Sequence, residues 1–322
     1  MTIADFDLAC AATALYVYPI KSCAGMPVQE LELDARGGAA GDRTWAIVDA
    51  EGAVTWLGTH PRLALVHPRA ADGGLRLTSP GVDDVATPAA SGLRPCRVKI
   101  WNDLGVRHDT FDAADAGDAV AAWLQRVVGA PLRLVRLGDA ALAREGTNAL
   151  HLVFAASVAA VDAELATTGR PPSDPRRFRP NIVLAMPHGD GVEFVEESLA
   201  ALEWHGVGAT RLEITAPCVR CVAMNVDPGS ARVDEAVLDT LTRLSQQRSP
   251  GGTVFGVYAR GAAGARLRVG DSARMALAFL RAADAAAACS AAFLRSRITA
   301  SMSSMRYSWP SHRWWNVTMS AL

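Results

Sequence analysis

Two thiols three positions apart, Cys218 and Cys221 in Ala216-Pro217-Cys218-Val219-Arg220-Cys221, are the residues best equipped for chemistry in this chain. An arginine precedes the second thiol, and a neighbouring cation favours the thiolate, the form that ligates metals and attacks electrophiles. Such a pair fits four chemistries: a soft-metal ligand, a redox dithiol, half of a zinc site, or two inert packed cysteines. Zinc would need two further ligands at suitable spacing, and no second Cys/His pair accompanies the motif. A thioredoxin-like dithiol opens a helix. Here the alternating Arg211-Leu-Glu-Ile-Thr215 reads as a half-buried strand leading into the motif. Pro217, with no N–H to donate, is expected to stop that strand's ladder. The thiols then stand where a strand becomes a loop, a common seat for chemistry on a rigid sheet.

The whole chain must be able to position such a loop. Its 322 residues, half of them hydrophobic and a fifth charged, suffice for two globular domains with substantial cores. A net charge of −1 excludes the basic excess that nucleic acid requires. The start, Met1-Thr-Ile-Ala-Asp-Phe-Asp7, carries acids where an export signal carries basic residues, and no apolar run reaches membrane-spanning length. Six scattered cysteines (Cys10, Cys23, Cys96, Cys218, Cys221, Cys289) suit a reducing compartment, so a cytoplasmic location is expected. Cys10, Cys23 and Cys96 read as small buried hydrophobes, and His60 and His151 as structural.

The first half reads as β-sheet. Strands are expected at Ala14–Tyr18, Val28–Asp34, Arg43–Asp49, Ala53–Trp56, Leu63–Pro68, Leu75–Thr78 and Cys96–Trp101, with Gly81–Pro95 as a surface loop. Short Gly, Asp and Pro clusters between them suggest a small barrel or folded sheet rather than βαβ repeats. A helix is predicted over Ala113–Val128, with Asp112 as its N-cap and Val120, Trp123, Leu124 and Val127 on one stripe. Leu132–Leu137 returns as a strand, and the loop from Gly138 to Thr147 marks the candidate domain boundary. Further on, Ser157–Leu165 reads as a helix, the Ile-Val-Leu end of Phe178–Leu184 as a buried strand, and Val233–Leu244 as a helix. Thr253–Ala259 and Ala265–Val269 read as closing strands. The alanine-rich stretch Ala282–Ala292 and the acid-free segment after Arg295 read as an appendage.

Five short motifs stand in order along the chain: Tyr18-Pro-Ile-Lys-Ser-Cys-Ala-Gly25, Gly41-Asp-Arg-Thr-Trp45, His60-Pro-Arg-Leu63, Phe178-Arg-Pro-Asn181 and Pro217-Cys-Val-Arg-Cys221. Together they resemble the MOSC family, molybdenum-cofactor-binding proteins named for the C-terminal domain of molybdenum cofactor sulfurase. The nearest branch is that of the mitochondrial amidoxime-reducing component and its bacterial counterparts. The resemblance covers about residues 14 to 272. It implies an α+β, mostly β fold: a small β-barrel-like N-terminal domain over 12–137, a MOSC β-barrel domain with a few helices over 138–275, and a tail over 276–322. It also implies molybdopterin bound between the two domains. Cys221 is then the catalytic residue and the molybdenum ligand, with cofactor contacts at Lys21, Ser22, Arg43, Ser157, Arg179, Asn181 and Arg220, and Cys218 is a packed neighbour.

The activity implied is reduction of small N-hydroxylated substrates such as amidoximes, hydroxylamines and N-hydroxylated bases. The alternatives are a non-catalytic carrier of the molybdenum cofactor and, from another class, a zinc or dithiol protein. Electrons would come from a separate redox protein, because a fused iron–sulfur cluster needs four cysteines and only Cys289 lies beyond Cys221. Pyridoxal phosphate binding is a family-wide association of such domains. The residue types suit the cofactor: molybdenum takes soft sulfur donors, and guanidinium groups match a phosphate tail. The chain departs from the family at Phe154 and Ala155, where hydroxyl residues are frequent, and at Trp56–His60, which lacks the expected Gln/Arg types. Without the other motifs, Arg43 and Arg179 would read as structural ion-pair partners and Lys21 and Arg62 as surface residues.

Overall fold

The computed structural model describes residues 8–102, 106–144, 149–187, 191–206, 208–248 and 252–278. The alanine-rich tail and Cys289 lie outside them. Among the described residues strand dominates, at 42%, with four helices. No helix among the described residues is long and apolar enough to cross a membrane.

The N-terminal half runs β1 (Ala9–Val17), β2 (Met26–Val28), β3 (Glu30–Glu32), β4 (Trp45–Val48), β5 (His67–Ala71), β6 (Gly74–Ser79), β7 (Val82–Ala86), β8 (Arg94–Asn102), β9 (Arg107–Asp115), α1 (Asp118–Val128) and β10 (Arg133–Leu137). Strands β8, β9, β10 and β4 form an antiparallel sheet in that order, and β5–β6–β7 a separate meander. Between them α1 buries Val120, Trp123, Leu124 and Val127, the stripe its 3.6-residue period places on one face. The indole of Trp123 donates to the Asp83 carbonyl at 2.5 Å, so the largest core side chain leaves no unpaired N–H. Gly129 ends the helix in the left-handed region, at φ 87°. Gly129→Ala meets no atom, yet it should lower stability by about 1 kcal/mol in thermal denaturation, because an L side chain strains that backbone.

The second half runs α2 (Asp139–Leu142), β11 (Leu150–Phe154), α3 (Ala155–Ala166), β12 (Ile182–Ala185), β13 (Leu199–His205), β14 (Thr210–Val219), α4 (Ala236–Arg248), β15 (Val254–Arg260), β16 (Arg266–Arg268) and β17 (Ser272–Leu277). Here β12-β11-β15-β14-β13-β17-β1 closes on itself through the β1–β12 pairing, giving a seven-strand barrel. β1 is thus a barrel strand although it precedes the N-terminal sheet in the chain. Leu15, Leu150, Phe154, Leu202, Trp204 and Leu212 belong to its apolar core. Helices α3 and α4 cover the outside, with Val158, Val161 and Leu241 in one cluster with Phe255 of β15.

Several sequence expectations need correction. The predicted helix start at Asp112 is strand, because Asp112 and Ala113 pair with Arg97 and Cys96 of β8, and Arg97 bonds the Asp112 carboxylate at 2.7 Å. The helix begins only at Asp118, after Asp115 has accepted the Gly117 N–H. Only the end of Leu63–Pro68 is strand, in β5; its first half belongs to a 3₁₀ turn over Pro61–Leu65, opened by a proline whose fixed φ suits a helical first turn. The supposed loop Gly81–Pro95 contains β7. Val28–Asp34 is broken at Gln29 into parts of two short strands. Pro217 does not stop β14, which runs on to Val219: register shifts on either side of Pro217 are bulges that tolerate the missing N–H.

Candidate functional site

Bulged β14 delivers the two thiols to opposite environments. Cys218 points inward and is 1% exposed, Val219 outward at 62%, and Cys221, two residues past the strand and just before the 3₁₀ turn Val222–Asn225, is exposed. Arg220 lies between them with its backbone N–H on the Thr253 carbonyl at 2.8 Å. Its guanidinium donates to the Cys218 sulfur at 2.9 Å and to the Phe178 carbonyl at 2.8 Å. On the other side of Cys221, Arg177 donates to the carbonyls of Met224 and Asn225 and to the Asp227 carboxylate at 3.0–3.1 Å. The exposed thiol is therefore held between two arginine tethers.

Behind it lies a cluster built from both halves of the chain. Asp42, 2% exposed, is its anionic centre. Its Oδ1 accepts the Tyr18 N–H at 2.7 Å and the Asn181 amide at 3.1 Å, and its Oδ2 pairs with Arg43. Arg43 also reaches the Arg179 carbonyl at 3.5 Å, and Arg179 donates to the Cys23 carbonyl at 2.6 Å. Both guanidinium groups lie over the Tyr18 ring, Arg179 at 4.3 Å and Arg43 at 5.2 Å, a cation–π arrangement. Gly25 permits this packing, since a Cβ there would come within 2.5 Å of the Tyr18 ring. Ser22, Arg43 and Arg179 all hold positive φ (70°, 50° and 58°). Non-glycine residues adopt that region at a cost of about 1–3 kcal/mol each, and such residues concentrate at functional sites.

The charges are unevenly balanced. Burial disfavours the Arg43 cation, but Asp42 outweighs burial and holds its pKa above the ordinary value. Burial likewise opposes charge on Cys218, yet Arg220, His151 and Tyr258 bring that thiol down to about 5. Arg179 has no comparable anion: burial first and then the Arg43 cation lower its pKa to about 10. Its Nη2, the Tyr18 hydroxyl and the Arg220 Nε are buried with no hydrogen-bond partner. A shallow cleft opens beside Tyr18 and Arg179, lined from both halves by Tyr18, Cys23, Leu57, Arg177, Arg179 and Val226.

Of the residues expected from sequence, Ser22, Arg43, Arg179, Asn181 and Arg220 belong to or adjoin this cluster. Lys21 is exposed next to Ser22, its N–H on the Trp45 carbonyl at 2.9 Å. Asn181 is fully buried and its side chain is engaged internally, donating to the Tyr16 carbonyl and Asp42 and accepting the His151 N–H at 3.0 Å. Ser157 lies elsewhere. It is fully buried near the start of α3, donating to Glu196 at 2.8 Å and accepting the Phe194 N–H at 2.8 Å. No hydrogen bond or ion pair among the described residues joins it to the arginine cluster. Phe154, at the nearby departure from the family pattern, is fully buried in the barrel core. No group of three potential metal-ligating Cys, His, Asp or Glu side chains occurs among the described residues, so a zinc site finds no support there.

Sequence reasoning did not single out Asp42, Tyr18, Tyr258 or Glu196. Asp42 and Tyr18 stood inside quoted motifs; nothing local marks Tyr258 or Glu196. His151 is structural as expected, its ring nitrogens lying 3.2–3.3 Å from the carbonyls of Phe255 and Arg179. Burial pushes the Glu196 carboxyl up to about 7, against hydrogen bonds from its own backbone, Ser157 and Phe154. Above its ordinary 4.5 the unfolded chain has released a proton that the native state keeps until about 7. Stability contributed by this group therefore falls as pH rises through that window. Glu196→Gln, neutral throughout, should flatten the slope in melting curves taken across it.

The chain matches the MOSC N-terminal beta barrel domain over residues 10–131 and the MOSC domain over residues 126–274. It is 30% identical over 288 residues to mitochondrial amidoxime-reducing component 1 of Mus musculus, covering 80% of this chain and 79% of that protein. The Homo sapiens protein of the same name is 28% identical over 258 residues, covering 72% and 71%. Molybdenum cofactor sulfurase of Danio rerio is 27% identical over 275 residues. That match covers 77% of this chain, which spans about a third (32%) of the sulfurase.

Proposed function

The chain belongs to the MOSC family, and on that premise we propose that it is a molybdenum-cofactor-dependent oxidoreductase that reduces small N-hydroxylated substrates. The observation that carries this reading is the pairing of an exposed thiol with a half-buried cationic cluster that has buried donors to spare. A multiply accepting anion suits the unpartnered Arg179 Nη2, Arg220 Nε and Tyr18 hydroxyl, so the residues present fit a phosphate-bearing pterin. Cys221 would ligate the metal, with Lys21, Ser22, Arg43, Arg179 and Arg220 holding the anionic parts. Asn181 and Ser157, engaged internally, serve by fixing Asp42 and the start of α3. When bound, the cofactor supplies a redox-active metal able to accept the oxygen of an N–O bond.

The chain's own residues set the conditions for that chemistry. Arg43 and Arg220 each have an internal anion, Asp42 and Cys218, so they hold position before any ligand arrives. Arg179 is the cation whose charge is left for the ligand. Val219 and Val222, 62% and 40% exposed, flank Cys221 with an apolar rim. That rim suits the hydrocarbon body of an amidoxime and disfavours a highly charged substrate. In the net reaction the N–O bond breaks and the oxygen leaves as water. A separate reductant supplies two electrons, and solvent supplies two protons.

The test is reduction of benzamidoxime to benzamidine by protein purified from a molybdenum-replete host, with an artificial electron donor. Turnover is expected. Protein that carries the pterin yet reduces no N–O substrate with any donor would instead be a cofactor carrier.

A further inference from the structure

We propose that Cys218 is a positioning residue: its buried sulfur, by accepting an N–H of Arg220, fixes the backbone that presents the Cys221 thiol. The inference rests on the reading of Cys221 as the metal-binding residue, but its first readout needs no metal.

The geometry is that of a clamp. Cys218 is the last inward residue of β14 and sits in the second bulge, between Pro217 and Val219, where the ladder to β15 slips. From there three residues turn the chain from 1% exposure at Cys218 to an exposed Cys221. A segment this short has few backbone restraints of its own: the Arg220 N–H on Thr253 and the Met224 N–H on the Cys221 carbonyl at 3.4 Å. The Arg220 side chain supplies the missing rigidity. One guanidinium nitrogen holds the Cys218 sulfur at 2.9 Å and the other the Phe178 carbonyl at 2.8 Å, so the strand end is tied to the turn preceding Arg179. Removing the sulfur leaves the guanidinium without one of its two acceptors, and with it one of the two bonds that hold it in place.

A packing role and a clamping role make opposite forecasts for substitutions. Valine fills nearly the volume of cysteine but accepts no hydrogen bond, whereas serine and aspartate keep an acceptor. Hydrogen–deuterium exchange of residues 219–226 in the metal-free protein is the first readout. Cys218→Val is expected to speed exchange there by about tenfold, while Cys218→Ser and Cys218→Asp stay near wild type. Molybdenum retained per chain should follow the same order, falling by about tenfold or more in Cys218→Val, as when a supporting residue behind a ligand is lost. If the buried aspartate prevents folding, Cys218→Val combined with Arg220→Met decides the matter. The double variant should exchange no faster than Arg220→Met alone, because that single change already removes the bond to the Cys218 sulfur. Wild-type exchange in Cys218→Val, or additive effects in the double variant, would overturn the proposal. Absence of molybdenum from the wild type would sink the functional reading while leaving the exchange result intact.

Discussion

Cys221→Ala is expected to reduce N–O reductase turnover by more than about 100-fold, since loss of even a residue supporting a ligand commonly reaches that size. The same variant should leave stability within about 0.5 kcal/mol of wild type, because the side chain is exposed and touches no core. The contrast is the informative part. Cys218 is buried within the Arg220, His151 and Tyr258 network, so changes there combine folding with function. An activity assay read beside a urea titration separates the two thiols. Cys221→Ala protein that retained full activity would remove this residue from the site.

Asp42→Ala is expected to destabilise the protein by about 3–5 kcal/mol, the range seen when one partner of a buried ion pair is deleted. The reason is the convergence on a single carboxylate. Tyr18, Arg43 and Asn181 all donate to it, and they come from the end of β1, from the turn before β4 and from the start of β12. Removing it leaves a half-buried cation, a buried amide and a backbone N–H without their acceptor. Asp42→Asn keeps the shape but not the charge and should fall between wild type and alanine. The denaturant midpoint should move with little change in slope, as expected when packing is lost but the fold is kept. A shift in Asp42→Ala of less than about 1 kcal/mol would mean that the carboxylate does not join the two halves energetically.

Much of this arrangement was legible in the residues. The stripe Val120, Trp123, Leu124, Val127 gave the core face of α1, because a helix buries what its period aligns. The order of the five motifs pointed to a mostly β fold with a barrel, which the closed β12-to-β1 ring matches. Legibility ended where distant pairing decides. Asp112-Ala-Ala-Asp115 has the local look of a helix start, but β8 claims it as strand. Pro217 looked like a terminator because the bulges that accommodate it depend on β15, some forty residues away. No local pattern announced β11, β13 or β17, or the buried Glu196 that meets Ser157 from another element.

At the candidate site the same division holds. Arg43, Arg179 and Arg220 were evident from their motifs, and the structure sets the first two over one tyrosine ring. What the motifs could not convey is which cation has its own anion. Asp42 sits beside Arg43 in the chain, but the bond from Arg220 to Cys218 reaches back along the same strand, and Arg179 forms no ion pair among the described residues, meeting instead the Cys23 carbonyl and the Tyr18 ring. Charge balance of this kind is a property of three dimensions.

The most direct test of the central claim is elemental analysis, with pterin detection, of the protein purified from a molybdenum-replete host. Molybdenum and pterin in stoichiometric amount, both lost in Cys221→Ala and Arg179→Ala, are the expected result. Stoichiometric zinc without molybdenum, or no metal and no pterin, would contradict it.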